Sequence, residues 1–562
     1  KLTVTPAALE IEIGSDVSPA GRTRKLTVSD ELGGTVVAKS INWNVPTSSW
    51  PYFLPDWLSL SRTSGGSAPA EDISVVEPSE VLAAMPNGTY TYNLSFQYTR
   101  NSPYNGYTYE VQVPVTLKIN APVSKLEVIR QSETLVAIAK GPQVSFRGKA
   151  TYAHGYSEDL TTQLEWSSSD KAVASFETDA PSPGVVQPLK AGTAQIKATM
   201  TGSTQQGSYA LKVDAAKSRV YVVEGDYIAN ARINQYVTGQ DGRLQPMREA
   251  RVSVSEFPQN LVFTPDGKYA YLSHYQPFEA GQYALSQFSV DANGVLSPLP
   301  ASRVLLGSYA PQAMIMDKQG KHLYVLGSPA GRILRLSVGA DGGLELDAKP
   351  PVDGGGQGGG LALHPTLPYL YQTGIDANMV SRFQVSEAGS LTFMPDAQQT
   401  GYRPKDVAIH PFGKALYVSN EGDYNNTGAL SQYHIEDDGR LSYITAPLEL
   451  SSRWGGPMAA SPNGEYLFFS YSGRTSSGYQ GDTEVAVLAL DESGLVSFQF
   501  SYLISSLRQL ALDSAGTNLY ATTGHGTVLQ YKVGNDGTLV MDSNIVKLTS
   551  PRAIAVLPAP AP

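Results

Sequence analysis

The sequence contains no cysteine, few charged residues and no long apolar run. With no cysteine among its 562 residues, disulfides, thiolate zinc sites and cysteine nucleophiles are excluded. No apolar stretch approaches the roughly 18 residues that a membrane-spanning helix needs. The formal net charge of −10 disfavours nucleic acid as a partner, because phosphate binding requires a basic surface.

Turn-forming residues and tyrosine are abundant instead. The chain has 53 Gly and 37 Pro, and its 32 Tyr exceed its 15 Phe about two to one. Charged residues make up 16% of the chain, against roughly 25% in an average soluble domain. This composition is typical of short strands joined by many turns, and the length predicts two to four domains.

The first region, residues 1–121, shows short strands with alternating apolar and polar positions, such as "YTYNLSFQY" and "YEVQVPVTLKI". Such alternation, with turn signals between the strands, predicts a β-sandwich with one buried and one solvent-exposed face on each sheet. The stretch "PDWLSLSRTSGG", which contains Trp57 and Leu58, together with the later strands resembles BACON-type immunoglobulin-like domains of bacterial surface proteins.

The second region, residues 122–216, contains "LEWSSSDKAVASF" at 164–176 and "GVVQPLKAGTAQIKAT" at 184–199. These segments resemble the group 2 bacterial immunoglobulin-like domain. The resemblance implies that the tryptophan lies in the core and that the "AGTA" glycine makes a turn before a strand. It also implies an extracytoplasmic spacer or adhesive module.

The third region, residues 217–562, is an internal repeat. One element, an apolar strand followed by a turn glycine and a further apolar residue, recurs seven times at spacings of 43 to 55 residues. Each copy is interpreted as a hairpin closed by an Asp-Gly or Asn-Gly type of turn. The turn glycines are Gly242, Gly294, Gly342, Gly389, Gly439, Gly494 and Gly537.

A second element, strand, Pro-x-Gly turn, strand, alternates with the hairpins in six full copies such as "LVFTPDGKYAYLS". The seventh copy is split between "PRAIAVLP" at the C-terminus and "SRVYVV" at 218–223. A blade built from both ends of a region closes a propeller ring and covers its edge strands. The predicted fold class is therefore all-β, with two immunoglobulin-like sandwiches followed by a seven-bladed β-propeller.

The amino-acid sequence of the repeats resembles that of the lactonase-type propellers. The resemblance is clearest in "RPKDVAIHPFGKALYVSNEGDYNNTGALSQYHIEDDGRL" at 403–441. This family includes bacterial 6-phosphogluconolactonase and the YVTN-repeat surface proteins. The resemblance implies the propeller fold for the whole third region. A fold shared by enzymes and binding proteins does not by itself assign a function.

Alternation of the two elements predicts that the loops before each Pro-x-Gly unit, and after it, gather at one mouth of the central channel. Rigid amphipathic side chains at this mouth suit the binding of a glycan, a peptide or a protein partner. The candidate ligand-binding residues are Tyr275, Tyr402, Arg403, Tyr424, Arg453, Trp454, Arg474, Tyr479 and His525.

The lactonase resemblance implies histidines in the segments that enter the innermost strands. In their place stand the glycine-rich residues 357–360 in one blade and "RPKD" in the next. Lys405, Asp406 and Glu421, with His274 from another loop, form the candidate catalytic set if the protein is an enzyme. His364 and His410 precede a proline in turns of the opposite mouth, where side chains that cap a turn are expected.

The glycine run "VDGGGQGGGLALHP", residues 352–365, is predicted to cross the mouth just before an innermost strand. It is no phosphate loop, since neither a lysine nor a helix follows it. We interpret it mainly as an argument against catalysis, because it supplies no acid, base or nucleophile. No metal-ligand spacing is present and no cofactor is expected, while a structural ion in the channel is left open.

Two functions remain. The first is a non-catalytic bacterial cell-envelope or extracellular protein whose propeller mouth binds a partner and is displayed on immunoglobulin-like spacers. The alternative is a lactonase-like hydrolase of a sugar lactone with a rearranged site. The expected location is the cell surface, the periplasm or the medium. The chain begins at Lys1 without Met, which indicates a processed start and leaves a preceding lipid anchor open.

Overall fold

The computed structural model describes residues 2–15, 23–30, 42–47, 54–66, 71–76, 79–99, 108–132, 136–177, 182–225, 231–255, 257–278, 281–423, 425–449, 454–474 and 480–559. The chain forms two compact units. The first comprises Lys1–Leu135, Gln143–Gln187 and Thr193–Lys212, and the second Val136–Pro142, Pro188–Gly192 and Val213–Pro562. The predicted division of the chain at residues 121 and 216 stays a prediction.

The N-terminal sandwich has two sheets whose alternating apolar residues meet in one core, which includes Trp57 and Phe96. Its first sheet has the order Leu2–Thr5, Thr23–Asp30, Glu71–Val76, Ser59–Leu60. The second has the order Leu9–Ile13, Thr108–Ile119, Gly88–Thr99, Asn42–Asn44, Ser64–Gly66, and one helical turn spans Ser79–Leu82. Every other residue of Leu9–Ile13 is buried, as the alternation predicts.

The second sandwich also has two sheets. Its tryptophan, Trp166, is only half-buried, and its indole N–H donates to the Thr161 carbonyl at 2.9 Å. One sheet contains Val123–Arg130, Val144–Tyr152, Val185–Pro188 and Ala174–Phe176, with Ser157–Asp159 beside Val144–Tyr152. The other contains Ala137–Ile138, Gln206–Asp214, Gly192–Met200 and Leu164–Ser168, and a 3₁₀ turn spans Thr161–Gln163. The two family resemblances of residues 1–216 stay predictions.

The rest of the chain forms seven sheets, each with four antiparallel strands that run in order from the innermost to the outermost. Blade 1 contains Pro551–Pro558, Ser218–Glu224, Arg232–Thr238 and Leu244–Ser253. Blade 2 contains Pro258–Phe263, Tyr269–His274, Tyr283–Val290 and Leu296–Gly307. Blade 3 contains Ala310–Met316, His322–Ser328, Arg332–Val338 and Leu344–Leu346. Blade 4 contains Leu361–Leu363, Tyr369–Gly374, Met379–Val385 and Leu391–Gln399.

The remaining blades follow the same order. Blade 5 contains Pro404–Ile409, Ala415–Asn420, Ala429–Ile435 and Leu441–Tyr443, with Leu448–Glu449 also paired to its third strand. Blade 6 contains Trp454–Ala460, Tyr466–Arg474, Gln480–Leu490 and Val496–Leu503. Blade 7 contains Leu507–Leu512, Asn518–Thr523, Thr527–Val533 and Leu539–Met541, with Val546–Lys547 beside its third strand. No helix in the described part of the chain is long and apolar enough to cross a bilayer.

The ring is closed as the split repeat predicts. Pro551–Pro558 from the C-terminal end pairs with Ser218–Glu224 from the start of the region, with Val220 opposite Val556. The innermost strands contact one another in order around the ring, from blade 1 through blade 7 and back to blade 1. The predicted seven-bladed propeller is therefore confirmed.

Tyrosines on the second strands link neighbouring blades. In six blades a fully buried tyrosine donates its hydroxyl hydrogen to the carbonyl of the turn glycine in the next blade, at 2.6 to 2.9 Å. Burial raises the pKa of these hydroxyls, to about 12 for Tyr221, so they remain protonated donors. Blade 6 has Phe468 at this position. The six pairs are Tyr221–Gly294, Tyr271–Gly342, Tyr324–Gly389, Tyr371–Gly439, Tyr417–Gly494 and Tyr520–Gly242.

The conformation of the turn glycines explains why glycine occupies these positions. All seven have positive φ, between 72° and 90°, whereas the residue before each of them does not. Each turn is thus a type I turn followed by one left-handed residue, a common hairpin connection. A Cβ at Gly342 would lie 2.0 Å from the ring of Tyr269, so the glycine also permits close contact between blades.

His364 and His410 are turn residues at the opposite mouth, as predicted. The Nδ1 of His364 accepts the backbone N–H of Leu367 at 2.8 Å, and its Nε2–H donates to the Gly413 carbonyl of blade 5 at 3.0 Å. His410 repeats this arrangement with Phe412 and with Gly464 of blade 6. Burial lowers the pKa of both imidazoles, which keeps them neutral.

The tyrosine hydrogen bonds between blades predict that removing one hydroxyl lowers the stability of the protein. The Tyr417→Phe substitution leaves the Gly494 carbonyl buried without its partner, which should lower the free energy of unfolding by about 1–2 kcal/mol. Phe468→Tyr in blade 6 supplies the absent hydroxyl and should not lower it. Urea unfolding of both variants measures the difference, and an unchanged Tyr417→Phe protein would contradict the assignment.

The two turn histidines predict a pH dependence of stability. Because their folded-state pKa lies below the unfolded value near 6.5, the unfolded chain binds protons first as the pH falls. Their stabilising contribution is complete above pH about 6.5 and is lost as the pH falls through the lowered folded-state pKa. The double variant His364→Ser/His410→Ser introduces the residue that blade 6 has at this position, Ser461, and should show a flatter decline between about pH 7 and 5 in unfolding experiments. An equally steep decline would exclude these histidines as the cause.

Candidate functional site

A β-bulge at the mouth end of the innermost strands creates one repeated position around the channel. In six blades the register between the innermost and second strands shifts near this end. A bulge leaves an extra residue unpaired and re-aims its side chain. The residues that directly follow the last pair on the mouth side of the shift are Gln259, Gln312, Lys405, Gly456, Arg508 and Arg552.

Three of these residues are cations, which we call the cationic arc: Lys405, Arg508 and Arg552. They belong to blades 5, 7 and 1. Arg508 donates to the Ser550 hydroxyl at 3.3 Å and so reaches toward the strand of Arg552, whose Nε donates to the Gly225 carbonyl at 2.6 Å. Three cations therefore lie at this part of the mouth, on a chain with a net charge of −10.

Glu421 holds two basic side chains at the same mouth. Its carboxylate lies 2.9 Å from Lys405 Nζ and 3.3 Å from an Arg403 guanidinium nitrogen. The Glu421 backbone N–H also donates to the Arg403 carbonyl at 2.8 Å. Arg403 has a positive φ of +57°. The residues at the equivalent position of blades 2 and 7 also have positive φ, +54° for Phe257 and +57° for Ser506. This conformation therefore belongs to the repeat.

Asp406 follows Lys405 and lies at the wall of the channel, partly exposed. One carboxylate oxygen accepts the Val407 N–H at 2.9 Å, and the other accepts the Met458 N–H of blade 6 at 3.0 Å. Burial among protein atoms is the largest influence on this group and raises its pKa. Each oxygen retains a further lone pair, so the carboxylate can accept a proton from a bound water.

Five buried polar atoms of the described residues in blades 5 and 6 lack a hydrogen-bond partner within the protein. An unpaired buried polar atom is uncommon in folded proteins and marks a place where water or a ligand supplies the partner. In the described residues this group comprises Ser419 Oγ, Asn420 Oδ1, Trp454 Nε1, Ser472 Oγ and Thr483 Oγ1. Ser419 lies directly opposite Asp406 on the neighbouring strand, so this member of the group is adjacent to the candidate carboxylate.

His274 differs from expectation. The sequence predicts it in a mouth loop, but it is the last residue of the strand Tyr269–His274 and its side chain is buried. Its Nε2 lies 2.8 Å from the Ser286 hydroxyl, and its ring packs edge-on against Phe278 at 4.8 Å. Enclosed in this way, it is separated from Lys405 and Asp406 of blade 5. His525 is exposed and lies 3.1 Å from the Ser505 hydroxyl.

Three of the predicted aromatic residues, Tyr275, Tyr402 and Trp454, belong to the described part of the chain. Tyr275 and Tyr402 are exposed, at 50% and 38% of their surface. Trp454 begins the innermost strand of blade 6 and is half-buried, and Arg474 ends the second strand of that blade. Tyr424, Arg453 and Tyr479, and the side chain of Arg474, lie outside the described residues.

The glycine run is tightly packed and hydrogen-bonded. The N–H of Gly355 donates to Gln372 at 3.1 Å, that of Gln357 to Asp376 at 2.7 Å, and that of Gly360 to Thr373 at 2.8 Å. A Cβ at Gly355 would lie 1.9 Å from the Ser381 hydroxyl oxygen. The run therefore packs closely against blade 4 at the mouth, and these N–H groups already have partners within the chain.

Arg508, Arg552, Gln259 and Gln312 were missed as candidate residues. Alignment of "FPQNLVF", "APQAMIM", "RPKDVAI", "SLRQLAL" and "SPRAIAV" places them in one column with Lys405. That column is the signal that could have found them. In the described residues, no group of three or more His, Asp and Glu side chains is arranged to hold a metal ion.

Comparison with known proteins supports the propeller assignment. The family model described as "Lactonase, 7-bladed beta-propeller" matches residues 279–452. A 6-phosphogluconolactonase of Yersinia pestis is 22% identical over 268 residues, which is 45% of this chain and 73% of that protein.

Solved structures show the same fold. A periplasmic gluconolactonase of Pseudomonas aeruginosa aligns with a TM-score of 0.52 at 17% identity, over 61% of this chain and 99% of that one. A Bacteroides uniformis protein provisionally assigned as a 6-phosphogluconolactonase aligns with a TM-score of 0.52 at 19% identity, over 61% of this chain and 100% of that one. The propeller therefore has the fold of the lactonase family.

The packing of the glycine run predicts that alanine is not tolerated there. Gly359 has a φ of +88°, and its Cβ would lie 2.2 Å from the Thr373 carbonyl oxygen. Gly359→Ala should therefore lower the free energy of unfolding by about 1–3 kcal/mol. Gly473→Ala is the matched control, because a Cβ at this mouth position of blade 6 would meet no atom of the described residues within 4 Å. It should change the free energy of unfolding by less than about 0.5 kcal/mol. Equal effects in thermal or urea unfolding would contradict this account.

Proposed function

We propose that the propeller mouth hydrolyses a lactone of a sugar acid that carries a negative charge. The observation that carries this proposal is the carboxylate of Asp406, with its raised pKa, placed directly after Lys405 at the channel wall. A base and a cation on adjacent residues are the two groups that hydrolysis of an anionic lactone requires.

The cationic arc accounts for binding. Cations that outnumber the carboxylates of a cleft attract a substrate of negative charge and raise its local concentration. Arg508 and Arg552 offer planar guanidinium donors suited to a carboxylate or phosphate substituent. The Trp454 indole N–H is buried and has no partner among the described residues. Together with the other unpaired polar atoms of blades 5 and 6, it supplies hydrogen bonds for sugar hydroxyls.

The reaction follows from the position of Asp406. The Asp406 carboxylate accepts a proton from a water molecule as the water oxygen attacks the lactone carbonyl carbon. The negative charge that develops on the carbonyl oxygen is stabilised by Lys405. The bond between that carbon and the ring oxygen then breaks, and the proton passes from Asp406 to the departing oxygen, giving the hydroxy acid.

Glu421 is the less suitable base. Its two carboxylate oxygens are already engaged in ion pairs, one with Arg403 and the other with Lys405. We assign it to positioning Lys405 at the mouth. His274 takes no part in this scheme, because it lies within blade 2 with its ring enclosed.

Binding without turnover is the second candidate. It is favoured by the exposure of Tyr275 and Tyr402, since exposed aromatic rings at a mouth suit a glycan or a peptide. The immunoglobulin-like resemblance of residues 1–216, and the periplasmic location named for one structural neighbour, support an extracytoplasmic site of action in both cases.

The test is hydrolysis of a panel of sugar lactones, with and without a phosphate or carboxylate substituent, by the full chain. Asp406→Asn should lower kcat by about 10²-fold or more, with thermal unfolding recorded to show that the fold persists. Lys405→Met should lower kcat/KM for the anionic lactones more than for the neutral ones. Lys414→Met, in the same blade but at the opposite mouth, removes the same charge and should change neither constant.

The pH profile provides an independent readout. Because Asp406 acts in its deprotonated form, kcat/KM should fall on the acid side at a pH above the usual aspartate pKa of about 3.9. Full activity of Asp406→Asn would exclude this base. Absence of turnover on every lactone, combined with binding of a glycan or peptide, would favour the second candidate.

A further inference from the structure

A second charged cavity lies on the face of the propeller opposite the mouth, at blade 1. It has a volume of about 430 Å³, and Lys140, Lys190 and Arg219 contribute to its lining. The remaining wall is mostly apolar and includes Leu189, Val237 and several alanines. All of these residues belong to the second compact unit.

Arg219 is an unusual buried cation. It is only 8% exposed, and its Nε has no hydrogen-bond partner among the described residues. Its guanidinium interacts with the neutral hydroxyl of Tyr221. In the described part of the chain neither Arg219, Lys140 nor Lys190 forms an ion pair. A buried charge without a partner of opposite sign is costly.

Comparison of the blades shows which group is missing. In blade 3 the equivalent residue, His322, lies 2.7 Å from the carboxylate of Asp317. In blade 7 the equivalent Asn518 donates to Asp513 at 2.7 Å. In blade 1 the residue opposite Arg219 is Leu557. In blades 3 and 7 an aspartate therefore lies opposite this residue of the second strand, whereas in blade 1 the residue opposite Arg219 is apolar.

The nearest turn does not fill that role. The Asp291 carboxylate of the blade 2 hairpin accepts the backbone N–H groups of Asn293 and Val295, each at 2.8 Å. These bonds fix it within its own turn. The cavity therefore combines three cations with an apolar wall, and 430 Å³ lies within the range of small-molecule sites.

We propose that this cavity binds a small organic anion with an apolar body, of the class of medium-chain carboxylates. The carboxylate would supply the negative charge that an aspartate supplies in blades 3 and 7, with Arg219 as its main partner. The hydrocarbon body would cover Leu189, Val237 and the alanines, which removes apolar surface from water. This site is independent of the proposed hydrolytic function, since it lies at the other end of the strands.

The test is calorimetric titration of the full chain with decanoate and, as a head-group probe, acetate. Decanoate should bind at least tenfold more tightly than acetate. Arg219→Met, which keeps the bulk but removes the charge, should weaken decanoate binding at least tenfold, and Lys190→Met should weaken it less. Lys268→Met removes an exposed lysine from the turn of blade 2 and should leave binding unchanged.

Three results would overturn the proposal: no binding of decanoate by the full chain, equal binding of decanoate and acetate, or unchanged affinity in Arg219→Met. Stability of the ligand-free protein gives a further readout. Since Arg219→Met removes an unpaired buried charge, its Tm should equal or exceed that of the parent. A fall in Tm of more than about 5 °C would show that Arg219 stabilises the fold through contacts that it already makes within the protein.

Discussion

The hydrogen bond from a buried tyrosine to the turn glycine of the next blade is the interaction on which the propeller most depends. Each such bond satisfies a buried hydroxyl and a buried carbonyl at once, and burial makes leaving either unpaired costly. It also demands a left-handed residue with no Cβ, because the hairpin of one blade lies directly on the second strand of its neighbour. The same hydrogen bond thereby sets the spacing between neighbouring blades at six of the seven contacts in the ring.

This fixed spacing leaves the mouth ends of the innermost strands available for chemistry. The bulge there re-aims one side chain in each of six blades, so a single repeated position holds glutamine, lysine, arginine or glycine according to the blade. Charge gathers on blades 5, 7 and 1, and the carboxylate of Asp406 follows on blade 5. The same bulge that ends regular pairing therefore provides both the cations and the base of the proposed hydrolysis.

Blade 1 departs from the other blades because its strands come from distant parts of the chain. Its innermost strand carries Leu557 where blades 3 and 7 carry an aspartate, and its second strand carries Arg219. In the blade that closes the ring, Arg219 thus has no carboxylate on the strand opposite it. That local imbalance, at the face opposite the mouth, is what the proposed organic anion would correct.

Much of the architecture was accessible from local patterns. Turn chemistry is decided by a few neighbouring residues, so seven Gly-closed hairpins, the split closing blade and the roles of His364 and His410 could all be predicted. The column of cations could also have been found by aligning the repeats, but Lys405 was recognised alone. Its partners Arg508 and Arg552 are about 100 and 150 residues away in the chain.

Burial and contact between blades were beyond the sequence. The loop expected around His274 is the end of a strand with an enclosed ring, and the glycine run predicted to cross the mouth is held by side chains of blade 4. The sequence by itself determined the number of blades, their order and the closure, because strand period and turn geometry are local properties. Only the tertiary structure decided which polar groups lack partners, because hydrogen-bond satisfaction depends on neighbours that the folded ring brings together.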